Sequence, residues 1–492
     1  MQQRSRLAGR VLGGLMTLGM SCSSDGQGNM NGDPPGSGPG PMSLPPAASC
    51  AAAAGGGAAK TQAPTLLLTL KDRYEEAWLG SPAVADLDGD GKKEIIVPRG
   101  GLVVVWRQDG SLAWRYATGQ SRIWASPVVG NFVGDSKLEV AVAARDRIIL
   151  LDAAGMVLPG FPVTWQNEMR ALAGGDVDGD GKLDLVASVG RSGPTDVVHA
   201  VRGDGSALAG FPPQMTGTSG CSVDGKCYLA GCYDQNLALG DLDGDSKLDL
   251  VAPHDNAYAS IHKGSGVAFD SSSLFKPKKV IGVRYLHSLA EAQQGYASNE
   301  ATALQAHFTN TAPAIADLDG DGKNEVVMLG SVQNAQQSQR ELGVGLWAVR
   351  SDASRLPGWE TPLHVPQYVS GLWDLGNTNI VAATNQVSIA DIDASSPGPE
   401  IVFAGFDGTI HAVSAARSER WSYRYTSDPN VLTGGVAIGD LSGDGIPEVV
   451  FTSYSTDADK SALFILDAGG NLQHRIPLPR RGAMPVPTLA DA

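Results

Sequence analysis

Acidic residues recur along this chain at alternate positions of a short glycine-rich loop. In the first copy, Asp86, Asp88 and Asp90 occupy loop positions 1, 3 and 5, and Glu94 occupies position 9. Lys92 at position 7 offers its backbone carbonyl, and the glycines at positions 4 and 6 let the backbone turn tightly. These donors are all hard oxygens, and roughly six or seven of them can surround one ion. That number favours Ca²⁺ over the stricter octahedral geometry of Mg²⁺.

An EF-hand calcium loop must be excluded, because it shares the first six positions of this pattern. An EF-hand requires a Glu at position 12 and a helix on each side. In the five most complete loops, position 12 is an apolar residue in a predicted strand: Val97, Ala187, Ala252, Met328 or Phe451. The loop is therefore interpreted as a β-type calcium loop, in which the acid at position 9 leads directly into a strand.

The acidic loop belongs to a longer repeat. Its first positions are residues 86, 131, 176, 241, 317, 391 and 440, so successive copies are separated by 45, 45, 65, 76, 74 and 49 residues. A unit of about 45–50 residues is typical of one four-stranded blade of a β-propeller. The three longer intervals predict insertions in the third, fourth and fifth units.

Each unit contains strand-sized apolar runs that position the loop. In the first unit, one run enters the loop at residues 82–85 and another leaves it at 95–97, and two more follow at 102–106 and 112–116. The last two are separated by an Asp-Gly turn, which indicates a hairpin. The same runs return later in the chain, at residues 148–152, 409–413 and 463–467.

The ends of the repeat region carry single strand-like runs. Residues 65–70 are similar to a fourth strand, and residues 485–491 are similar to a first strand. We expect these runs either to share one closing blade or to flank a ring of seven complete blades. Within the fourth unit, residues 285–308 could form an amphipathic helix that covers one face.

The loop Asp-x-Asp-Gly-Asp-Gly-x-x-Glu/Asp between two strands, repeated over residues 65–492, resembles the FG-GAP/VCBS repeats of integrin α-subunits and many bacterial surface proteins. The resemblance implies an all-β fold, a seven-bladed or incomplete eight-bladed β-propeller that holds about five to seven Ca²⁺ ions. It assigns metal-ligand roles to the matching residues of five loops: Asp86, Asp88, Asp90, Lys92, Glu94; Asp176, Asp178, Asp180, Lys182, Asp184; Asp241, Asp243, Asp245, Lys247, Asp249; Asp317, Asp319, Asp321, Lys323, Glu325; and Asp440, Ser442, Asp444, Ile446, Glu448.

Two loops depart from the pattern. In the second loop, Asn131 and Val133 replace two acids and leave only Asp135 and Glu139. Since Val133 has no side-chain donor, this loop is expected to bind weakly or to stay empty.

In the sixth loop, Asp391 and Asp393 are retained as candidate ligands, and so is Glu400, which is shifted by one position. The prolines within residues 397–399 interrupt the turn, so the sequence leaves the occupancy of this loop open.

The chain is acidic, with a formal net charge of −15, and 24 of its 52 acidic residues lie in the seven loops. Since each Ca²⁺ adds two charges, five ions would change the net charge to −5 and seven would change it to −1. The acidity is therefore interpreted as metal-ligand charge rather than as a field that steers basic partners. Basic patches are absent from the sequence, so nucleic acid is not an expected partner. Without an ion the crowded carboxylates repel one another, and we expect chelation to lower thermal stability.

The start of the chain is predicted to be an export signal. Three arginines precede a short apolar stretch at residues 11–20, which is too short to span a bilayer. Cys22 follows in a sequence similar to a bacterial lipobox, although Leu18 lies four rather than three residues before it. Lipidation of Cys22 predicts an outer-membrane or cell-surface lipoprotein, whose lipid is its only membrane anchor. Ordinary cleavage nearby predicts a periplasmic or secreted protein.

Three domains follow from these features. Residues 1–22 are the lipoprotein-type signal peptide, residues 23–62 are a flexible linker rich in Gly, Pro and Ala, and residues 63–492 are the propeller. The four cysteines other than Cys22 are an even number in an oxidising compartment, and they are disulfide candidates: Cys50, Cys221, Cys227 and Cys232. We expect one disulfide within the 221–232 cluster and consider a second to Cys50. A zinc site is the alternative, but no His accompanies the cluster.

No nucleophile motif, phosphate-binding loop or His-x-x-x-His zinc motif is present, and no catalytic or organic-cofactor-binding residue is predicted. The favoured function is non-enzymatic adhesion or recognition of a protein or glycan at the cell surface. Insertions at residues 203–236, 255–310 and 330–384 would supply the binding face. Their aromatic residues are candidate sugar platforms, or else core residues: Tyr228, Tyr233, Tyr258, Trp347, Trp359 and Trp373.

The alternative function is a carbohydrate-active enzyme, such as a polysaccharide lyase, or a lectin. Propellers with calcium loops similar to these occur in rhamnogalacturonan lyases and in some fungal lectins. A lyase needs a base and a group that neutralises charge, and the sequence offers candidates in or near the fourth-unit insertion: His254, Lys263, Arg284, Tyr285, His287 and His307. The competing interpretation is that these are ordinary loop and core residues.

Overall fold

The computed structural model describes residues 59–72, 80–165, 168–190, 197–213, 236–254, 258–267, 269, 281–282, 305–308, 311–333, 342–351, 354–367, 369, 372–374, 380–382, 385–393 and 395–491. Within these residues all regular structure is β, in strands β1 to β32, and no helix is formed. Accordingly, this part of the chain contains no helix that is long and apolar enough to cross a membrane. The prediction of an all-β fold is confirmed for the described residues.

The first sheet shows how one repeat folds. Strands β1 (Ala83–Ala85), β2 (Glu94–Arg99), β3 (Leu102–Trp106) and β4 (Leu112–Ala117) pair antiparallel in sequence order. The apolar runs of β2 and β3 are almost wholly buried, whereas β4 alternates half-buried and exposed residues, as expected of an edge strand. The acidic loop connects β1 to β2, so Glu94 is both loop position 9 and the first residue of β2.

Three similar sheets follow along the chain. The second contains β5 (Val128–Gly130), β6 (Glu139–Ala144), β7 (Arg147–Leu151) and β8 (Val163–Thr164). The third contains β9 (Met169–Gly175), β10 (Asp184–Val189) and β11 (Val198–Arg202). The fourth contains β12 (Ala238–Gly240), β13 (Asp249–Pro253), β14 (Tyr258–His262) and β15 (Ile281–Gly282).

The remaining strands form three five-stranded sheets and a separate hairpin. The fifth sheet contains β16 (Gln305–His307), β18 (Ala314–Ala316), β19 (Glu325–Gln333), β20 (Val344–Val349) and β21 (Leu363–Val365). The sixth contains β17 (Thr311–Ala312), β24 (Asn385–Ala390), β25 (Glu400–Ala404), β26 (Thr409–Ser414) and β27 (Glu419–Arg424). The seventh contains β28 (Val431–Thr433), β29 (Ala437–Gly439), β30 (Glu448–Ser455), β31 (Ala462–Leu466) and β32 (Leu472–Pro477). The hairpin pairs β22 (Leu372–Asp374) with β23 (Ile380–Ala382).

The strand that enters each acidic loop lies beside the corresponding strand of the next sheet. The contacts run from β1 to β5, β5 to β9, β9 to β12, β12 to β18, β18 to β24 and β24 to β29. Apolar side chains fill the space between neighbouring sheets: one buried cluster joins Ile96 and Val103 of the first sheet to Val140 and Ile149 of the second. Small antiparallel sheets packed face to face in succession are the arrangement of a β-propeller. Whether the ring has seven or eight blades stays a prediction.

Both terminal segments contact sheets at the two ends of this succession. Thr61 donates its backbone N–H to the Gln473 side chain of the seventh sheet at 2.7 Å. Thr488 donates its hydroxyl to the Pro82 carbonyl, beside the first sheet, at 3.1 Å. The N-terminal segment is also anchored by Leu70, which is buried with apolar residues of β2 and β3. These contacts bring the first and seventh sheets together through the chain termini.

The prediction of strands at both termini was wrong. Residues 65–70 and residues 485–491 form no strand in the structure. Side-chain hydrogen bonds and apolar contacts hold these segments, instead of the ladder of backbone hydrogen bonds that defines a strand. Only Leu70 of the first run and Val486 of the second are buried, whereas Leu66, Leu67 and Leu68 are exposed.

Tryptophan side chains connect neighbouring sheets at three places. In each case the indole N–H donates to a backbone carbonyl of the next sheet: Trp114 to Ala153 at 2.8 Å, Trp359 to Ala415 at 2.7 Å and Trp421 to Ala468 at 2.8 Å. A Cβ on Gly470 would lie 2.5 Å from the Trp421 ring, so this glycine is needed for the close approach. These contacts are long-range, and no sequence motif predicted them.

Several sequence predictions can now be compared with the described residues. Strand β16 occupies residues 305–307, so the end of the predicted helix at 285–308 is a strand, and residues 285–304 lie outside the described residues. Trp347 and Trp359 are each only 1% exposed, so they are core residues and not sugar platforms. Other predictions fall outside what the structure describes: the signal peptide, residues 23–58 of the linker, all five cysteines, Tyr228, Tyr233, Arg284, Tyr285, His287, and the side chains of Tyr258, His307 and Trp373.

Candidate metal centre

The first acidic loop is shaped by hydrogen bonds to its own backbone. Asp86 accepts the N–H groups of Gly89 (2.8 Å) and Gly91 (2.9 Å), one on each carboxylate oxygen, and Asp90 accepts the N–H of Lys92 at 2.8 Å. Gly89 and Gly91 have φ angles of 76° and 84°, a region that favours glycine. Each carboxylate has further lone pairs, so the turn gathers the aspartates while leaving them capacity to bind a cation.

Four other loops repeat these hydrogen bonds. The carboxylate at position 1 accepts the N–H of position 4 at 2.7–2.9 Å, in Asp176, Asp241, Asp317 and Asp440. The carboxylate at position 5 accepts the N–H of position 7 at 2.8–3.0 Å, in Asp180, Asp245, Asp321 and Asp444. Because the same local bonds recur in different sheets, the loop sequence itself determines this conformation.

The acid at position 9 is buried, unlike the other acids of the loop. This acid is at most 4% exposed in all five complete loops, in Glu94, Asp184, Asp249, Glu325 and Glu448. One of its oxygens accepts the N–H of position 2, at 2.7–3.1 Å. The acid takes this place because it is the first residue of the second strand of its sheet and points beneath the loop. Burial of a carboxylate costs free energy unless a cation or hydrogen bonds compensate it.

The sixth loop keeps the buried acid despite its altered spacing. Ile392 donates its N–H to Glu400 at 3.0 Å, as position 2 does in the other loops. Glu400 is fully buried, and its Oε1 has no hydrogen-bond partner among the described residues. The loop therefore accommodates the extra residue without moving the buried acid. A buried carboxylate oxygen without a hydrogen-bond partner is a ligand that a metal ion could bind.

The second loop keeps the hydrogen bonds but lacks the acids. Glu139 accepts the N–H of Phe132 at 2.7 Å, and Asn131 accepts the N–H of Gly134 at 2.7 Å. Val133 occupies position 3 and is exposed, so it contributes no side-chain oxygen. This loop thus has the shape of the others with a smaller donor set.

Burial raises the pKa of the position-9 acids. Desolvation is the largest cause, the hydrogen bond from position 2 opposes it, and nearby aspartates add to it. The pKa of Asp184 rises to about 6, and the pKa values of Asp249 and Glu325 each rise to about 7. The same cause raises the pKa values of Glu94, Glu139, Glu400 and Glu448.

The acids of four loops converge closely enough to share one metal ion. In each group, one oxygen from each acid lies within 4.8 Å of the others: Asp86, Asp88 and Asp90; Asp176, Asp178 and Asp184; Asp241, Asp243 and Asp245; and Asp317, Asp319 and Glu325. These loops are the four that carry acids at positions 1, 3, 5 and 9. The donor set is all oxygen, without His or Cys, so the residues present fit a hard divalent cation.

Basic residues from a neighbouring strand also reach these loops. Arg350, which follows β20, donates to Asp319 at 2.7 Å and to the buried Glu325 at 3.4 Å. Arg202 and Lys263 donate to Asp178 and Asp243, respectively, in the third and fourth loops. No sequence signal predicts these contacts, because the basic residues lie 20 to 31 residues beyond the aspartates that they contact.

Two residues considered for lyase chemistry have other surroundings. His254 is fully buried and shares a 2.7 Å hydrogen bond with Ser260, also buried. Lys263 contacts Asp243 of the fourth loop, as described above. The other residues considered for lyase chemistry lie outside the described residues or have side chains outside them, so the lyase hypothesis stays a prediction.

A cluster of three arginines, one tryptophan and one glutamate lies at the ends of β6 and β9 that point away from the acidic loops. Glu168 accepts the indole N–H of Trp124 at 2.6 Å, and ion pairs join it to Arg145 at 3.2 Å and Arg170 at 3.1 Å. The guanidinium groups of Arg170 and Arg122 lie 4.3 and 5.0 Å from the centre of the Trp124 ring. Desolvation raises the pKa of Glu168, but the hydrogen bond and the two cations outweigh it and lower the pKa. We call these five residues the Arg–Trp cluster.

No protein-family model matches the chain, and no curated protein matches its sequence. Solved structures with a similar arrangement of strands include three of different character. The exotype rhamnogalacturonan lyase YesX is 16% identical, with 86% of this chain and 68% of that chain covered and a TM-score of 0.44. The Vibrio cholerae biofilm matrix protein Bap1 is 14% identical, with 87% of this chain and 85% of that chain covered and a TM-score of 0.39. The Dos1 propeller is 10% identical, with 83% of this chain and 81% of that chain covered and a TM-score of 0.41. Likeness at this level leaves the ligand and the activity of this chain open.

Proposed function

We propose that this chain is a calcium-binding β-propeller of the FG-GAP/VCBS type that acts as a non-enzymatic recognition or adhesion module for a protein or glycan. The main support is the buried carboxylate at position 9, or position 10 in the sixth loop, which accepts the N–H of position 2 in every one of the seven loops. The same buried carboxylate is thus repeated seven times, in most loops beside further acids. A hard divalent cation bound in each loop would balance this negative charge.

Calcium would stabilise the scaffold where two strands of each sheet meet. A bound ion supplies positive charge to the oxygens at positions 1, 3, 5 and 9 and to the carbonyl at position 7. These residues belong to the turn and to the first residue of the next strand, so their common attachment restrains the strand connection. We therefore propose that calcium makes the propeller more rigid and that recognition takes place elsewhere on its surface.

The Arg–Trp cluster is the described surface that best supports a recognition role. It places two guanidinium groups and one indole ring around a single carboxylate, with a third guanidinium group over the ring, on a chain whose formal charge is −15. Arginine and tryptophan are the residues most enriched where proteins bind their partners. We propose export to the cell surface, by way of the signal and the Cys22 lipid site, as the setting for this role.

Metal analysis and binding assays test the proposal separately. Purified protein equilibrated with calcium and desalted should contain about five to seven Ca²⁺ per chain, and excess chelator should lower its thermal stability. Protein without bound calcium, or with the same melting temperature in chelator, would overturn the calcium assignment. A glycan array and a cell-adhesion assay with wild type and Arg170→Gln then test recognition, with Arg115→Gln as the matched surface control.

An enzyme remains the second candidate on sequence grounds, through the lyase residues that lie outside the described part of the chain. An ultraviolet assay for unsaturated uronate products distinguishes the two functions. Turnover of a uronate polymer without retention on the glycan array would replace the recognition proposal with the lyase.

A further inference from the structure

The residue opposite the buried position-9 acid on the next strand is basic in four sheets. The ladder register pairs Asp184 with Arg202 directly. Continued by one residue, the registers of three other sheets place Arg107, Lys263 and Arg350 across from Glu94, Asp249 and Glu325, respectively. In the other three sheets the equivalent residues are Asp152, Ser414 and Asp467. The four sheets with a cation at this place are the four whose loops carry all four acids. A basic residue therefore accompanies the densest concentration of carboxylates.

Three of these cations bond directly to the aspartate at position 3. Arg202 donates to Asp178 and Lys263 to Asp243, while Arg350 donates to Asp319 at 2.7 Å. Arg350 also lies 3.6 Å from Asp321 at position 5, and Lys263 lies 3.9 Å from Asp245 at the same position. Lys263 thus contacts two acids of its loop and Arg350 contacts three, whereas Arg202 contacts one.

The first loop differs in this respect. Arg107 lines a pocket together with Asp88 and Glu94, but within the described residues it forms no ion pair with either acid. Its guanidinium instead donates to the Leu112 carbonyl at 3.2 Å. The first loop is thus a natural comparison, with the same acids, the same register and no direct bond from the cation to position 3.

We propose that Arg202, Lys263 and Arg350 are internal counter-ions that compete with Ca²⁺ for the position-3 aspartate of their own loops. The inference rests on the proposed calcium binding and adds a grading of affinity among the loops. A cationic side chain beside the position-3 carboxylate repels Ca²⁺ and uses one of the carboxylate lone pairs, so each counter-ion weakens calcium binding at its loop. The same charge reduces repulsion among the four carboxylates when calcium is absent. The first loop, without this competition, binds calcium most tightly of the four.

Replacement of the counter-ion should have opposite effects on affinity and on metal-free stability. In Arg350→Gln, we expect the fifth loop to bind calcium about tenfold more tightly, because the arginine contacts three acids of the loop and each such charge pair is worth a few-fold. In chelator, the same variant should melt several degrees lower than wild type, because the four acids lose their counter-charge. In saturating calcium its melting temperature should equal or exceed that of wild type.

The measurements are calcium content per chain over a series of buffered free-calcium concentrations, and melting temperatures in chelator and in calcium. Arg350→Lys keeps the charge and should resemble wild type. Arg107→Gln should change the calcium affinity by less than about threefold and should leave the melting temperature close to that of wild type. An equal loss of stability for Arg350→Gln in chelator and in calcium, with unchanged affinity, would show a merely structural arginine and overturn the inference. If calcium fails to stabilise the wild type, the proposed calcium function fails instead, so the two failures are distinguishable.

Discussion

Replacement of the buried Glu325 by Gln should stabilise the protein without calcium and destabilise it with calcium. Glu325 is fully buried, and one of its oxygens accepts the Leu318 N–H at 3.0 Å. Gln has nearly the same shape and can keep this hydrogen bond through its carbonyl oxygen. The substitution therefore removes a charge from the interior and leaves the packing almost unchanged.

The magnitude follows from the pKa of Glu325, which burial raises from 4.5 to about 7. The folded protein holds this proton over a pH range in which the unfolded chain has lost it, so metal-free stability falls as the pH rises from about 4.5 to about 7. Above that range the ionised side chain costs ~3 kcal/mol of unfolding free energy, which Gln does not incur. The attraction of Arg350 is already contained in this pKa, but in the variant the Gln amide N–H group would face the Arg350 guanidinium, 3.4 Å away, which offsets part of the gain. We expect a net stabilisation of about 2 kcal/mol near pH 8 in chelator, and close to none near pH 4.5.

Urea unfolding at both pH values, with chelator and with saturating calcium, measures these differences. In calcium the order should reverse, because the fifth loop of Glu325→Gln lacks a ligand and loses the stabilisation that a bound ion supplies. Calcium content per chain should fall by one ion. A variant that is less stable than wild type in chelator at both pH values, or that shows the same calcium-dependent gain as wild type, would refute the role assigned to the buried acid.

Three further predictions concern residues outside the metal-ligand set. His199 is buried beside Trp165, and desolvation lowers its pKa from 6.5 to about 4. As the pH falls, the unfolded chain therefore binds a proton at this residue before the folded protein does. The unfolding free energy should fall by ~3 kcal/mol relative to that of His199→Leu between about pH 7 and about pH 4. Ser246 at loop position 6 has a φ of 63°, so Ser246→Gly should raise the unfolding free energy by ~0.5–1 kcal/mol, and Ser246→Ala should give no such gain in the same urea titration. Trp421→Phe removes the indole N–H that bonds the Ala468 carbonyl at 2.8 Å and should cost about 1 kcal/mol by the same method; an unchanged midpoint would mean that this contact between sheets does not contribute to stability.

Much of the local structure was predictable because the repeat encodes it within a few residues. The run at residues 102–106 was predicted from its apolar residues, and strand β3 has the same bounds. The β-type interpretation of the loop agrees with the strand that begins at Glu94. Predictions failed where an apolar run had no encoded partner, as at residues 65–70, because strand formation requires a neighbouring backbone edge. The side chains of Trp347 and Trp359 could not be assigned from sequence between core and surface, since both outcomes suit an aromatic residue in an insertion.

The sequence by itself determined the acidic loops, the order of the strands that flank them and the all-β class. Turn geometry and ligand spacing act over about nine residues, and the chain carries that information directly. Only the tertiary structure decided which cations meet those loops. Counted from the position-3 aspartate, Arg350 lies 31 residues beyond Asp319, Arg202 lies 24 beyond Asp178 and Lys263 lies 20 beyond Asp243. Because the length of the intervening connection varies, no fixed spacing marks these pairs. The register between strands, which depends on which face each side chain must bury, brings them together.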